Sequence, residues 1–183
     1  MEFLKIWLVT ILLAIVYGIS HDMVTAHVCV EYFTIGHAGL FGTEQPVLLA
    51  IGWGAVATWW VGLILGVAIA ASAQLGNANR LALGDLLRPA VVLLLSVGVT
   101  SLAFGVVGYA LARADVVALS GVVARDVPPQ SLDRFMADAW AHTAAYGAGA
   151  FGSLVLCGWI IARRVRAGRQ GATPRAPRPA PAA

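Results

Sequence analysis

The sequence predicts an all-α integral membrane protein, a four-helix bundle followed by a disordered, basic, Pro/Ala-rich C-terminal tail. Three observations carry that reading. Of 183 residues, 60% are apolar and only 11% charged, where a soluble domain carries about 25% charged residues. Mean hydropathy is +0.82. Four stretches approach the roughly 20 apolar residues that a helix needs to cross a hydrocarbon core of about 30 Å. The same figures exclude a soluble globule and a disordered chain, which needs low hydrophobicity and high charge. Two cysteines cannot supply the framework of a disulfide-stapled secreted module.

The first helix is expected over residues 3–20, interrupted only by Lys5. This stretch also carries a secretory-signal pattern: Lys5 as the charged region, an apolar core over residues 6–16, and Gly18-x-Ser20 as small residues near a cut. Cleavage there would leave three helices and a free, histidine-rich N-terminus. The second helix, residues 46–72, lies inside an uncharged run over 45–79, and Pro46 suits its first turn, where amide hydrogens lack partners anyway. It contains Gly62-x-x-x-Gly66-x-x-x-Ala70, a spacing that lets backbones approach closely in lipid. The third, residues 89–112, is expected to open on Pro89 and carries Gly105-x-x-Gly108; glycine is common in membrane helices, so one such pair is weak by itself. The fourth is expected over residues 139–162. Residues 1–169 then form the membrane domain. Residues 170–183 are mostly Gly, Ala, Pro, Thr and Arg, which cannot bury enough apolar surface to offset ordering entropy.

Orientation follows from the excess of Lys and Arg in cytoplasmic loops. Residues 21–45 contain Asp22, Glu31 and Glu44 but no Lys or Arg, and should face outward. Arg80 and Arg88 outnumber Asp85 between the second and third helices, and Arg163, Arg164, Arg166, Arg169, Arg175 and Arg178 follow the fourth. Both regions should face the cytoplasm, which places the chain in a cell inner membrane with both termini inside. The loop over 113–138 is mixed in charge and votes weakly outward. Half of the basic residues follow Ala162, so the net charge of +3 belongs to the tail. It points to anionic lipid headgroups, not to nucleic acid.

Three of the four histidines, His21, His27 and His37, fall in the outer segment, and His142 lies at the outer end of the fourth helix. Residues four apart in a helix share a face. His27 and Glu31 have that spacing, as do Asp138 and His142, with Tyr146 one turn further on. Converging, His27, Glu31, Asp138 and His142 offer two imidazoles and two carboxylates, a set suited to zinc, iron or copper. His21, Asp22 and His37 are additional candidates, as ligands or as partners that orient the ligating rings. The plainer alternative is a set of solvated pairs at headgroup level. A haem between His27 and His142 is disfavoured, because each has a carboxylate four residues away that suits a hydrated ion better than an apolar porphyrin pocket.

Trp59 and Trp60, mid-helix, are expected to pack on neighbours or to face lipid. Cys29 and Cys157 are expected at different depths, which argues against a disulfide between them; Cys29 is either a soft ligand or a small buried apolar group. There is no zincin His-Glu-x-x-His, phosphate loop, nucleophile elbow or Cys-x-x-Cys, and no internal repeat that would mark a secondary transporter. Function is therefore expected from the His/carboxylate constellation, in metal handling or redox chemistry, with no reaction assigned. The alternative is a non-catalytic accessory or assembly subunit whose helix faces bind a membrane partner or a second copy.

Overall fold

The computed structural model describes residues 1–77 and 79–171, and helix is the only regular secondary structure among them. Four long helices, α1 (Glu2–Val28), α3 (Pro46–Gln74), α4 (Leu83–Arg113) and α6 (Leu132–Gly171), are joined by short pieces. These pieces are α2 (Val30–Thr34), α5 (Val123–Asp126) and a 3-10 turn at Pro129–Ser131. All four long helices are apolar and long enough to span a bilayer. Leu4, Leu8, Leu12 and Val16 form a continuous exposed stripe along α1, and Val91, Leu95, Val99, Leu102 and Val106 another along α4. Stripes of this kind are at home against lipid.

The helices run further than their apolar cores. The first ends at Val28, well past residue 20, because the polar residues beyond Ser20 do not need water: Asp22 and Thr25 are buried against the bundle. No glycine or proline interrupts that stretch, and the helix stops only where Cys29 turns extended, at φ −148° and ψ 97°. The third span begins at Leu83, which places Pro89 inside the helix rather than at its first turn. Proline removes the amide hydrogen that would reach the carbonyl four residues back. That carbonyl, on Asp85, instead takes a long 3.5 Å contact from Arg163. Asp85 Oδ2 also accepts the Ala82 amide at 3.0 Å and so caps the start of α4. The fourth span begins at Leu132, so Asp138 and His142 lie within one helix. The second begins at Pro46 as the sequence indicates. Of the expected disordered tail, residues 170–183, the first two continue helix α6, which ends at Gly171, and residues 172–183 lie outside the described residues.

Within the bundle α1 packs along α3, and α4 along α6; the two pairs touch each other far less. Glycines bring the α1–α3 backbones together: a Cβ on Gly62 would meet Ile11 Cα at 2.8 Å, and one on Gly66 would meet Trp7 Cδ1 at 2.9 Å. Gly108 performs the same service on α4, against Trp140 and Met136 of α6. In lipid such close approach replaces the hydrophobic drive that joins helices in water. At the arginine end, Ile6, Ile69, Leu86, Leu156 and Ile160 form an apolar cluster drawn from all four spans. At the other end Ala26, Phe33, Leu49, Ala50 and Trp53 close a second. Between them the pairs part around a cavity of about 410 Å³.

Candidate metal centre

His21 and Asp22 lie on α1, past its midpoint, and His142 lies on α6 opposite them. One ligand atom from each of the three lies within 4.8 Å of those of the other two. The His21 and His142 rings meet edge to face, 4.5 Å between centroids. Tyr32 flanks His142 at the same centroid distance.

Hydrogen bonds decide which ring nitrogens are free. His142 Nδ1 lies 2.8 Å from the carbonyl oxygen of Asp138. A carbonyl only accepts, so Nδ1 carries the hydrogen, and in the neutral ring Nε2 presents a lone pair. That Nε2 stands 3.2 Å from Asp22 Oδ1. Two acceptors facing one another require a positive species between them, either a proton or a metal ion. Ser101 fixes His21 in the same sense. Its hydroxyl donates to the Ala141 carbonyl at 3.0 Å, so towards His21 Nδ1, at a long 3.4 Å, it can only accept. His21 thus keeps its Nδ1 hydrogen, and its Nε2 lone pair is buried without a partner.

The remaining sequence candidates occupy other surroundings. His27 is exposed, with Nδ1 on the Met23 carbonyl at 2.7 Å. The extended Cys29 separates it from Glu31, so the two share no helical face. This also leaves His27 and His142 in different environments, one on the surface and one turned inward against Asp22. Glu31 is engaged in a clasp: Oε1 accepts from Ser131 Oγ at 2.6 Å, and Arg134 donates to the same hydroxyl at 3.2 Å. Partial burial alone would push the Glu31 carboxyl up, but the Ser131 hydrogen bond, with further bonds and the Arg134 charge, holds it below the ordinary value. Cys29 donates to Glu31 Oε2 at 3.4 Å, and burial pushes its thiol up to about 12, so it acts as a small buried group rather than a thiolate. Both cysteines are free. Asp138 is 1% exposed, with Oδ2 lacking a hydrogen-bond partner, one turn from His142 but outside the trio. His37 sits on the cavity wall, bonded through Nδ1 to the Tyr32 carbonyl at 2.8 Å and stacked on Phe33. Trp59 and Trp60 are about half exposed, as expected of lipid-facing residues, and Trp60 also borders the cavity.

Sequence reading missed Ser101. A signal for it exists, since Ser101 stands four residues before Gly105 on the small-residue face that α4 turns to α6. Asp22 likewise continues the stripe begun by Gly18, four residues earlier, which marks it as facing inward. No known protein family, curated protein or solved structure matches the chain.

Proposed function

We propose that this protein binds a transition metal ion within the membrane bundle, through His21, Asp22 and His142, and uses it in metal handling or in chemistry at an open coordination position. One observation carries the reading: the two imidazoles are each committed to donate through Nδ1, which leaves an Nε2 lone pair on each, and ligand atoms of His21, Asp22 and His142 lie within 4.8 Å of one another. A proton between His142 and Asp22 satisfies that pair alone and leaves His21 Nε2 orphaned. An ion serves all three. The 3.2 Å between His142 Nε2 and Asp22 Oδ1 agrees with the edge of about 3.3 Å in a tetrahedron with bonds of about 2.0 Å. Two histidines and one carboxylate with a free position suit zinc or ferrous iron. Cuprous copper prefers sulfur, and the trio has none. The arginine distribution supports placing this end of the bundle on the outer side of the inner membrane.

The test is elemental analysis of the full-length protein, purified in detergent after removal of any polyhistidine tag. About one zinc or iron ion per folded chain is expected. His142→Ala and His21→Ala should each lower that at least about tenfold, with helicity retained, whereas His27→Ala should leave it unchanged. Folded protein that stays metal-free after incubation with zinc or ferrous iron overturns the reading, as does a metal content indifferent to His142→Ala.

A further inference from the structure

The cavity between the helix pairs has two unlike parts. Its upper end is ringed by His21, Asp22, His37 and His142, and below them the wall is mostly apolar, contributed by all four spans down to Ile6 and Leu86, with the hydroxyl groups of Thr10, Tyr17, Thr58 and Ser153 set among the hydrocarbon. From Ile6 to His21, fifteen residues of α1 rise about 22 Å at roughly 1.5 Å each. That exceeds the depth of one leaflet, about half of a 30 Å core. Midway, α6 presents Ala145 and Gly149, and a Cβ built on Gly149 would meet nothing within 4 Å. The space is therefore not closed by packing. A mostly apolar wall favours an apolar guest over water.

Volume and charge narrow the guest. At about 410 Å³ the cavity falls near the lower end of the roughly 300–1,000 Å³ typical of ligand sites, room for one chain rather than two. Among the described residues no lysine or arginine lines it, so a phosphate headgroup would find no charged donor there to pair with it. A divalent ion held by two neutral imidazoles and one carboxylate keeps a single net positive charge and an open position. A monoanionic oxygen ligand satisfies both.

We propose that the cavity holds the tail of a long-chain fatty acid, whose carboxylate takes the open position on the ion held by His21, Asp22 and His142. The inference rests on the metal reading for its head contact and on the cavity alone for its tail.

The experiment uses full-length protein in phosphatidylcholine nanodiscs, loaded with zinc, and palmitate carrying a diazirine near its methyl end. Photolabelling should fall on the deep end of the cavity wall, at residues such as Leu65, Leu86 and Leu156. Excess palmitate should compete, and hexadecyltrimethylammonium, with the same tail and the opposite charge, should not. Gly149→Leu should cut the labelling at least about fivefold with bound zinc unchanged. Chelation should weaken palmitate competition about tenfold. Labels confined to the outer stripes at Leu8, Leu12, Leu95 and Leu102 overturn the tail site even if zinc is bound. Equal competition by the cation, or equal labelling by a phosphatidylcholine bearing the same diazirine chain, does the same. A protein that binds no zinc fails the metal reading separately, and cavity labelling that palmitate competes equally before and after chelation overturns the head contact.

Discussion

Two regions of this bundle meet the same problem in opposite ways. Down the α1–α3 seam the backbones touch: a Cβ on Gly54 would meet the Cα and N of Ile19 at 2.5 Å. Across the gap between the pairs, a Cβ on Gly149 would meet nothing within 4 Å. Lipid tails are as apolar as leucine, so helices gain little by exchanging one for the other. Contact must then come from close backbone approach or from hydrogen bonds. The seam uses the first. Towards their ends the pairs add the second to apolar packing, through Asp22–His142, Ser101–His21 and Glu31–Ser131 at one end. At the other, Arg164 donates to the Ser72 carbonyl at 2.6 Å, and the Leu83 amide donates to Glu2 at 3.2 Å. Where neither is supplied, the helices stand apart and leave a cavity beside the polar trio.

The contrast is broken most severely by putting a methyl group into the seam. Gly54→Ala sets a Cβ against the backbone of Ile19, which cannot rotate away, so α1 and α3 must separate. Overpacking of this kind costs roughly 1–3 kcal/mol, and the backbone obstacle places this case at the upper end. Reversible unfolding in mixed micelles should register it, and an unchanged midpoint would show that the seam is looser than drawn. Gly149→Ala is the matched control in the gap. It fills open space and removes a helix-weakening glycine, so stability should hold or rise by up to about 1 kcal/mol. A loss as large as that of Gly54→Ala would mean that the cavity is closed in the folded protein.

The bundle itself was legible in the sequence because a span leaves a long apolar record that needs no partner to be read. Its margins were not. Residues 21–28 look like loop when polarity is taken to mean water, yet Asp22 and Thr25 are buried on the continuing helix. The same substitution of bundle interior for solvent explains the site. Spacing along one helix finds His27 with Glu31 and Asp138 with His142, whereas the trio joins residues 120 positions apart, Asp22 and His142, across two helices. That the histidines gather near one end follows from the count of crossings. Which of them face inward depends on helix phase past Ser20, and Cys29 breaks that phase between His27 and Glu31. The cavity leaves no mark in the sequence beyond small residues, which elsewhere in the chain do the reverse and close a seam.

The smallest effect tests whether polar links hold the pairs together where close packing does not. Glu31 follows α1, and Ser131 precedes α6, so their hydrogen bond ties one pair to the other. The Glu31 carboxyl is held below its ordinary value of 4.5, so the folded state keeps it ionised at a pH where the unfolded chain has begun to take up a proton. Its contribution to stability is therefore complete above that ordinary value and is lost as pH falls through the lower, folded one. Glu31→Gln keeps an oxygen for Ser131 to donate to and removes the charge. Thermal midpoints of the two proteins should differ at neutral pH and converge as the pH drops below the mid-fours, with Asp22 and Asp138 still present in both. The difference should stay below about 1 kcal/mol, because the group is partly exposed and solvent screens it. Parallel midpoints across the acid range would assign the join between the pairs to the trio and to Arg164, with no share for the clasp.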